Sequence, residues 1–184
     1  MNVLVLSASP NKDGLTSACA NAAVEALQAA RHQAEEIRLN DLHICQCEAC
    51  NNGWGTCRDE GRCSQDDDFP QLLERLRASD GCVIVTPVYF WEPSESTKAF
   101  LDRVRRCERS MGEKPGGLRG KPMVFVAAAG GSGNGTTNCL NYLDHWCRFV
   151  EPRKFDFIGV TRFNRHYKMQ HIADAAVAMM SAAR

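Results

Sequence analysis

The chain alternates short runs that are apolar at every position with longer stretches in which apolar residues recur every three or four positions. Val3-Leu4-Val5-Leu6, Cys82-Val83-Ile84-Val85 and Met123 to Ala128 are of the first kind. Such runs suit strands buried on both faces. A helix is predicted from about Thr16 to Arg31, where Ala18, Ala22, Ala26 and Ala30 join Val24 and Leu27. Ala34 to Leu39 reads as a second strand with Ile37 and Leu39 on one side. Asp66-Asp67-Asp68 before Phe69-Pro70 marks a helix start, with Leu72, Leu73 and Leu76 behind it. Further helices are predicted over about Ser94 to Arg109, Thr136 to Phe149 and Tyr167 to Ala182. Phe155, Phe157 and Val160 suit a half-exposed edge strand. Thr86 to Trp91 reads as a turn segment, and Asp41 to Gln65 as a long irregular stretch.

Strand and helix thus alternate five times, which calls for a parallel sheet covered on both faces. The expectation is an α/β, flavodoxin-like three-layer sandwich, with a five-stranded parallel sheet in the order 2-1-3-4-5. Residues 1–184 form a single domain on this reading, with a Cys-rich insertion at about 41–65. Ligands of such sheets sit outside the carboxyl ends of the strands, where the order reverses between strands one and three.

Three unusual loops follow strands at that edge. Ser7 to Ser17 runs into a helix N-terminus, where free backbone N–H groups and the helix dipole favour an anion. Ser9, Asn11, Thr16 and Ser17 add neutral donors, and Lys12 is the cation within the loop. The same residues also suit an ordinary capped turn. Neither G-x-G-x-x-G nor G-x-x-x-x-G-K-[ST] is present, so neither a dinucleotide turn nor a nucleotide P-loop is indicated. Thr86 to Trp91 offers aromatic surface, and Ala128 to Gly135 is Gly-rich enough for close backbone approach to a flat ligand. Phosphate at one end and a planar polar ring at the other describe FMN.

Composition narrows the class. Basic and acidic residues balance at 22 each, which gives no global field for nucleic acid or a membrane surface. No apolar run reaches the length of a membrane span, so a soluble, cytoplasmic protein is expected. Of 10 cysteines, five crowd together as Cys45-x-Cys47-x2-Cys50-x6-Cys57-x5-Cys63. Read from spacing alone, they suit an iron–sulfur cluster, zinc, redox-active thiols or reduced structural cysteines. Arg103, Arg105, Arg106 and Arg109 read as a solvated helix face, with the 2′-phosphate of NADPH or an acidic partner as the alternative.

Ser7-Ala8-Ser9-Pro10-Asn11 with Leu15-Thr16-Ser17, Gly61-Arg62-Cys63 with Asp66-Asp67-Asp68-Phe69, and Thr86-Pro87-Val88-Tyr89-Phe90 followed by Lys98-Ala99-Phe100-Leu101-Asp102-Arg103 carry a resemblance. Over about residues 1–135 the chain resembles the NADPH-dependent FMN reductase and iron–sulfur flavoprotein family. The resemblance implies FMN bound by Ser9, Asn11, Leu15, Thr16 and Ser17 at its phosphate. Pro87, Val88, Tyr89, Phe90 and Trp91 would lie along its ring, and Ala129, Gly130, Gly131 and Gly133 would close the other side. It implies a [4Fe–4S] cluster on Cys47, Cys50, Cys57 and Cys63, with Cys45 spare. NAD(P)H would be the transient co-substrate. The acceptor would be a quinone, flavin, nitro or azo compound, or an iron–sulfur centre.

The cofactor carries the chemistry, so no catalytic side chain is assigned. Backbone N–H groups near Val88 to Trp91 and Gly130 to Gly133 are expected to stabilise charge on the reduced ring. A homodimer or homotetramer with the flavin near the interface is also implied, and a ferredoxin-type redox partner goes with the electron-carrier alternative. Two other classes stay open: a non-catalytic electron carrier, against which the neutral charge weighs, and a thiol or metal redox sensor on the same fold.

Overall fold

The computed structural model describes residues 1–111 and 117–181. Five strands run parallel: β1 (Asn2–Ser7), β2 (Gln33–Arg38), β3 (Gly81–Tyr89), β5 (Pro122–Ala129) and β6 (Arg153–Thr161). A two-residue strand, β4 (Glu92–Pro93), pairs antiparallel with the end of β3. The sheet order is β2-β1-β3-β5-β6, with β4 off this path. The parallel strands follow the expected arrangement. β4 was not foreseen, and it shifts the numbering of the last two strands. The helices are α1 (Leu15–Ala29), α2 (Thr56–Asp59), α3 (Phe69–Ala78), α4 (Glu95–Met111), α5 (Thr136–Val150) and α6 (Arg165–Ser181). Ala182, placed in the last helix by the sequence pattern, lies outside the described residues.

The central strands are apolar at every position because each face of the sheet has its own core. Leu4, Leu6, Cys82, Ile84, Met123 and Phe125 pack with Phe69, Leu72, Phe100, Leu101 and Trp146 from α3, α4 and α5. Val3, Val5, Val83, Val85, Val124 and Val126 pack on the other face with Ala20, Ala23, Ile172 and Ala176 from α1 and α6. A pleated strand sends neighbouring side chains to opposite faces, so both sets must be apolar. Small alanines let α1 and α6 lie close together against the same face. Among the described residues no helix is long and apolar enough to cross a membrane.

β3 is longer than the sequence pattern suggested. Its apolar run continues through Thr86, Pro87 and Val88 to Tyr89, so these residues are strand and not turn. Thr86 and Pro87 stand opposite Ala127 and Ala128 of β5. The reversal is confined to Phe90 and Trp91, both left-handed at φ 50° and 68°, between the pairs Val88–Pro93 and Tyr89–Glu92. A two-residue hairpin with both central residues at positive φ normally takes Asn and Gly, whose backbones tolerate that region. Here two bulky aromatics occupy it, which is why no turn signal marked this hairpin.

Candidate functional site

The three loops do meet at the carboxyl edge, beside the reversal between β1 and β3. The ladder continues past β1, where the Ala8 N–H donates to the Val85 carbonyl at 3.1 Å. Ser9 is buried, and its Oγ accepts the Asn11 N–H at 3.2 Å. The Ser17 hydroxyl donates to the Asn11 carbonyl at 3.0 Å. The loop is thereby folded onto the start of α1. Gly14 holds the N-cap position and supplies no side-chain cap. The N–H groups of the first turn are left to an outside acceptor, which is the geometry that binds phosphate.

Arg38, at the end of β2, was not singled out from the sequence. Its Nη2 donates to the Ser9 carbonyl at 2.9 Å, its Nη1 to the Ser17 hydroxyl at 3.4 Å, and its Nε to Asp41 at 3.2 Å. Lys12 is the cation within the loop, and the Arg38 guanidinium braces that loop from the end of β2. The signal was available only through pairing: Arg38 stands opposite Ser7 in the parallel register.

The second loop is tied to the first by hydroxyls. Ser94, buried at the start of α4, donates from Oγ to the Ala8 carbonyl at 3.0 Å. Its own N–H donates to Thr86 Oγ1 at 3.2 Å, which also accepts from the Thr97 hydroxyl at 2.8 Å. Beyond this network Tyr89, Phe90 and Trp91 are 41%, 90% and 49% exposed. Phe90 and Trp91 meet edge to face at 5.3 Å.

The third loop, after Ala129, closes the arrangement. A Cβ on Gly135 would stand 2.9 Å from the Trp91 Cα, and one on Gly130 would stand 3.7 Å from the Leu15 Cβ. One loop therefore touches both of the others. Gly133 adopts φ 81° and sits against the Phe163 ring, while Gly131 faces open space. The loops that carry Ser9, Asn11, Leu15, Thr16 and Ser17, Pro87 to Trp91, and Ala129 to Gly133 thus meet on one rim.

The cysteine-rich stretch packs against α4, on the face that also carries the α3 side of the core. Cys47, Cys50, Cys57 and Cys63 line a single narrow cavity of about 20 Å³ with Arg103, Arg106 and Cys107. Cys45 is outside that lining and has its Sγ 3.4 Å from His43. Cys107, scattered in the sequence, reaches the cavity because it follows Arg103 by one helical turn. Burial foremost, then the neighbouring Cys63 and Cys57, pushes its thiol up to about 12. Among the described residues no three His, Cys, Asp or Glu side chains close on a single point that could hold a metal ion.

Arg103 corrects the reading of its segment as a solvated face. Its side chain is 1% exposed, as is that of its partner Asp67. It donates to Asp67 through both terminal nitrogens, to the Cys45 carbonyl at 3.0 Å and to Cys63 Sγ at 3.3 Å. Its guanidinium also stacks over Phe69 at 4.1 Å. Burial raises the Asp67 carboxyl, but the hydrogen bonds from Arg103, Cys45 N–H and Phe69 N–H outweigh it and hold the group below its ordinary value. Asp67 is thus the anchor of a buried arginine as well as part of a helix start. Arg106 and Arg109 lie over Trp54 at 4.4 and 6.0 Å, and Arg105 over Phe149 at 5.7 Å.

With this geometry in hand, likeness to known proteins is informative. The family model of NADPH-dependent FMN reductase matches residues 1–154. An iron–sulfur flavoprotein of Methanocaldococcus jannaschii is 32% identical over 139 residues, which cover 74% of this chain and 67% of that protein. An FMN-dependent NADH:quinone oxidoreductase of Alcanivorax borkumensis is 30% identical over 173 residues, covering 88% of this chain and 84% of that one. The structure of a flavodoxin from the domain Archaea shares the fold, with a TM-score of 0.65 at 11% identity over 100% of this chain and 99% of the other. The chain therefore belongs to the NADPH-dependent FMN reductase family and is an NAD(P)H-dependent oxidoreductase of that type.

Proposed function

We propose that the three-loop rim binds FMN and that the chain passes electrons from NAD(P)H to a small acceptor, with a [4Fe–4S] cluster on Cys47, Cys50, Cys57 and Cys63 as a second centre. The observation that carries the first part is the mutual contact of the loops. Ser94 joins the Ser9 loop to the end of β3, and the glycine loop leaves room only for hydrogen against Trp91. When bound, FMN supplies hydride acceptance from the nicotinamide and onward release of electrons.

The chain's own residues bind and orient. The uncapped first turn of α1, with the Thr16 hydroxyl, suits the phosphate end, and Ser17 and Arg38 fix the loop that carries it. Gly130 and Gly131 let the backbone lie against a flat ring. The exposed Phe90 and Trp91 give a planar acceptor such as a quinone an aromatic surface to stack on. No side-chain acid or base is assigned.

The donor set of the second site fits a thiolate-ligated cluster. Four thiols line one cavity, the number of thiolates that such a cluster takes. The N–H of Arg103 Nε and that of Arg106 Nε are buried there without an acceptor, and such donors call for an anionic neighbour. The space between the thiols is that of about one water, so loading requires the 41–65 stretch to spread. That stretch contains left-handed Ala49, Asn51 and Asn52.

One absorption spectrum of anaerobically purified protein, with iron and flavin assays, tests both parts. Flavin bands with an added iron–sulfur shoulder are expected. A colourless protein that fails to take up FMN would overturn the first assignment, and a flavin-only protein that rejects iron under reducing reconstitution would overturn the second. Light scattering tests the homodimer or homotetramer that the family resemblance implies.

A further inference from the structure

The two arginines that line the four-thiol cavity come from one helix. Arg103 and Arg106 stand three residues apart on α4, on the same face, and both line the cavity. Arg103 donates to Cys63 Sγ at 3.3 Å. Each arginine keeps a buried Nε–H without an acceptor. Arg106 is held in place by stacking on Trp54 at 4.4 Å, a contact that needs no counter-charge.

We infer that these two arginines set the electron affinity of the group the thiols hold, and that Arg106 contributes the larger share. This rests on the cluster reading above. A thiolate-ligated cluster gains one negative charge when it takes up one electron. A fixed cation beside it favours the reduced form and raises the reduction potential, as do hydrogen bonds to its sulfurs. Arg103 faces Asp67 in a bidentate pair, so most of its charge is already offset and its effect runs through the bond to Cys63. Among the described residues no carboxylate forms an ion pair with Arg106. Glu108, on the same helix, is engaged by Arg77 at 2.8 Å and by the Leu118 N–H. Removing Arg106 therefore takes away a charge without breaking an ion pair.

The test is a dithionite titration of the iron-loaded full chain under anaerobic conditions, followed by absorption and electron paramagnetic resonance, with iron content measured first. Arg106→Gln is expected to keep its iron and to lower the equilibrium constant for one-electron reduction about tenfold, the scale of one close, partly buried charge; that is about 59 mV. Arg106→Lys keeps the charge and is expected to stay within about threefold of wild type. Arg103→Lys, which keeps the charge opposite Asp67 but loses the fork, is expected to shift less than Arg106→Gln.

The inference is overturned if Arg106→Gln retains iron and titrates within twofold of wild type. It is equally overturned if Arg106→Lys shifts as far as Arg106→Gln, which would make packing on Trp54 the cause. Loss of iron from Arg106→Gln would make Arg106 an assembly residue and reject tuning. Wild-type protein that takes up no iron refutes the cluster reading itself, and this is seen before any variant is made.

Discussion

Gly135 is where the rim is tightest, and it gives the sharpest test of the geometry. In Gly135→Ala the new methyl would stand 2.9 Å from both the Cα and the Cδ1 of Trp91 and 3.1 Å from Val88 Cγ1. Side chains in real proteins do not approach a backbone carbon so closely, and a backbone carbon cannot rotate away. Overpacking of this kind costs roughly 1–3 kcal/mol. Gly135 also sits at φ 84°, ψ 0°, where an alanine costs roughly 1–2 kcal/mol. Together the two give about 2–5 kcal/mol, with the lower end expected if Trp91 shifts and relieves both at once. Trp91 is part of a strained two-residue hairpin, so any relief displaces the second loop along with the third.

The assay is urea unfolding of the flavin-free chain, with FMN affinity measured by fluorescence quenching. Unfolding free energy should fall by about 2–5 kcal/mol, and the FMN Kd should rise at least tenfold. Gly131→Ala is the control, because its Cβ would meet nothing within 4 Å. Its stability should stay within about 0.5 kcal/mol of wild type, while FMN affinity should fall, since the proposed site lays the ring over that loop. A Gly135→Ala chain as stable as wild type would show that the loops do not touch. A Gly131→Ala chain with unchanged FMN affinity would remove the ring from that loop.

Three further outcomes are expected. Asp67→Asn leaves Arg103 buried without its counter-charge, which costs about 3–5 kcal/mol in denaturant unfolding at neutral pH. Because the folded-state carboxyl is held below its ordinary value of 3.8, the pair's stabilisation is complete above that value and is lost as pH falls through the lower folded one; acid unfolding of Asp67→Asn should therefore be flatter below about pH 4 than that of wild type. Arg38→Ala removes the donors to Ser9 and Ser17, and the loss of charge-assisted bonds at a site that is partly open to water should weaken FMN binding by about 1–2 kcal/mol, roughly 5- to 30-fold in Kd by fluorescence titration. Cys63→Ser should lose iron on anaerobic reconstitution while Cys45→Ser retains it, since only the former lines the cavity; equal retention would reassign the ligands.

The layered fold and the edge where the three loops meet were legible in the sequence. Val3 to Leu6, Cys82 to Val85 and Met123 to Ala128 are apolar at every position, and only strands with a core on each face make that pattern necessary. Once strand and helix alternate five times, the right-handed crossover rule leaves few topologies, and it places the three loops on one edge. Local chemistry marked those loops, because serine, threonine and glycine at strand ends carry their meaning in a few consecutive residues.

What tertiary structure alone decided were the contacts between residues far apart in sequence. Arg38 braces a loop 29 positions away, and nothing near Arg38 in the chain announces it. Arg103 sits in a helical run of arginines that looks solvated, and it is buried because Asp67 and the cysteine stretch fold over it. Cys107 was a scattered residue until α4 turned it toward Cys57 and Cys63. The Phe90–Trp91 hairpin broke the rule for turn residues, and its left-handed backbone is held where β4 returns along β3 beside Gly135. Periodicity reports which face of an element is buried; it does not report which distant charge or thiol that face will meet.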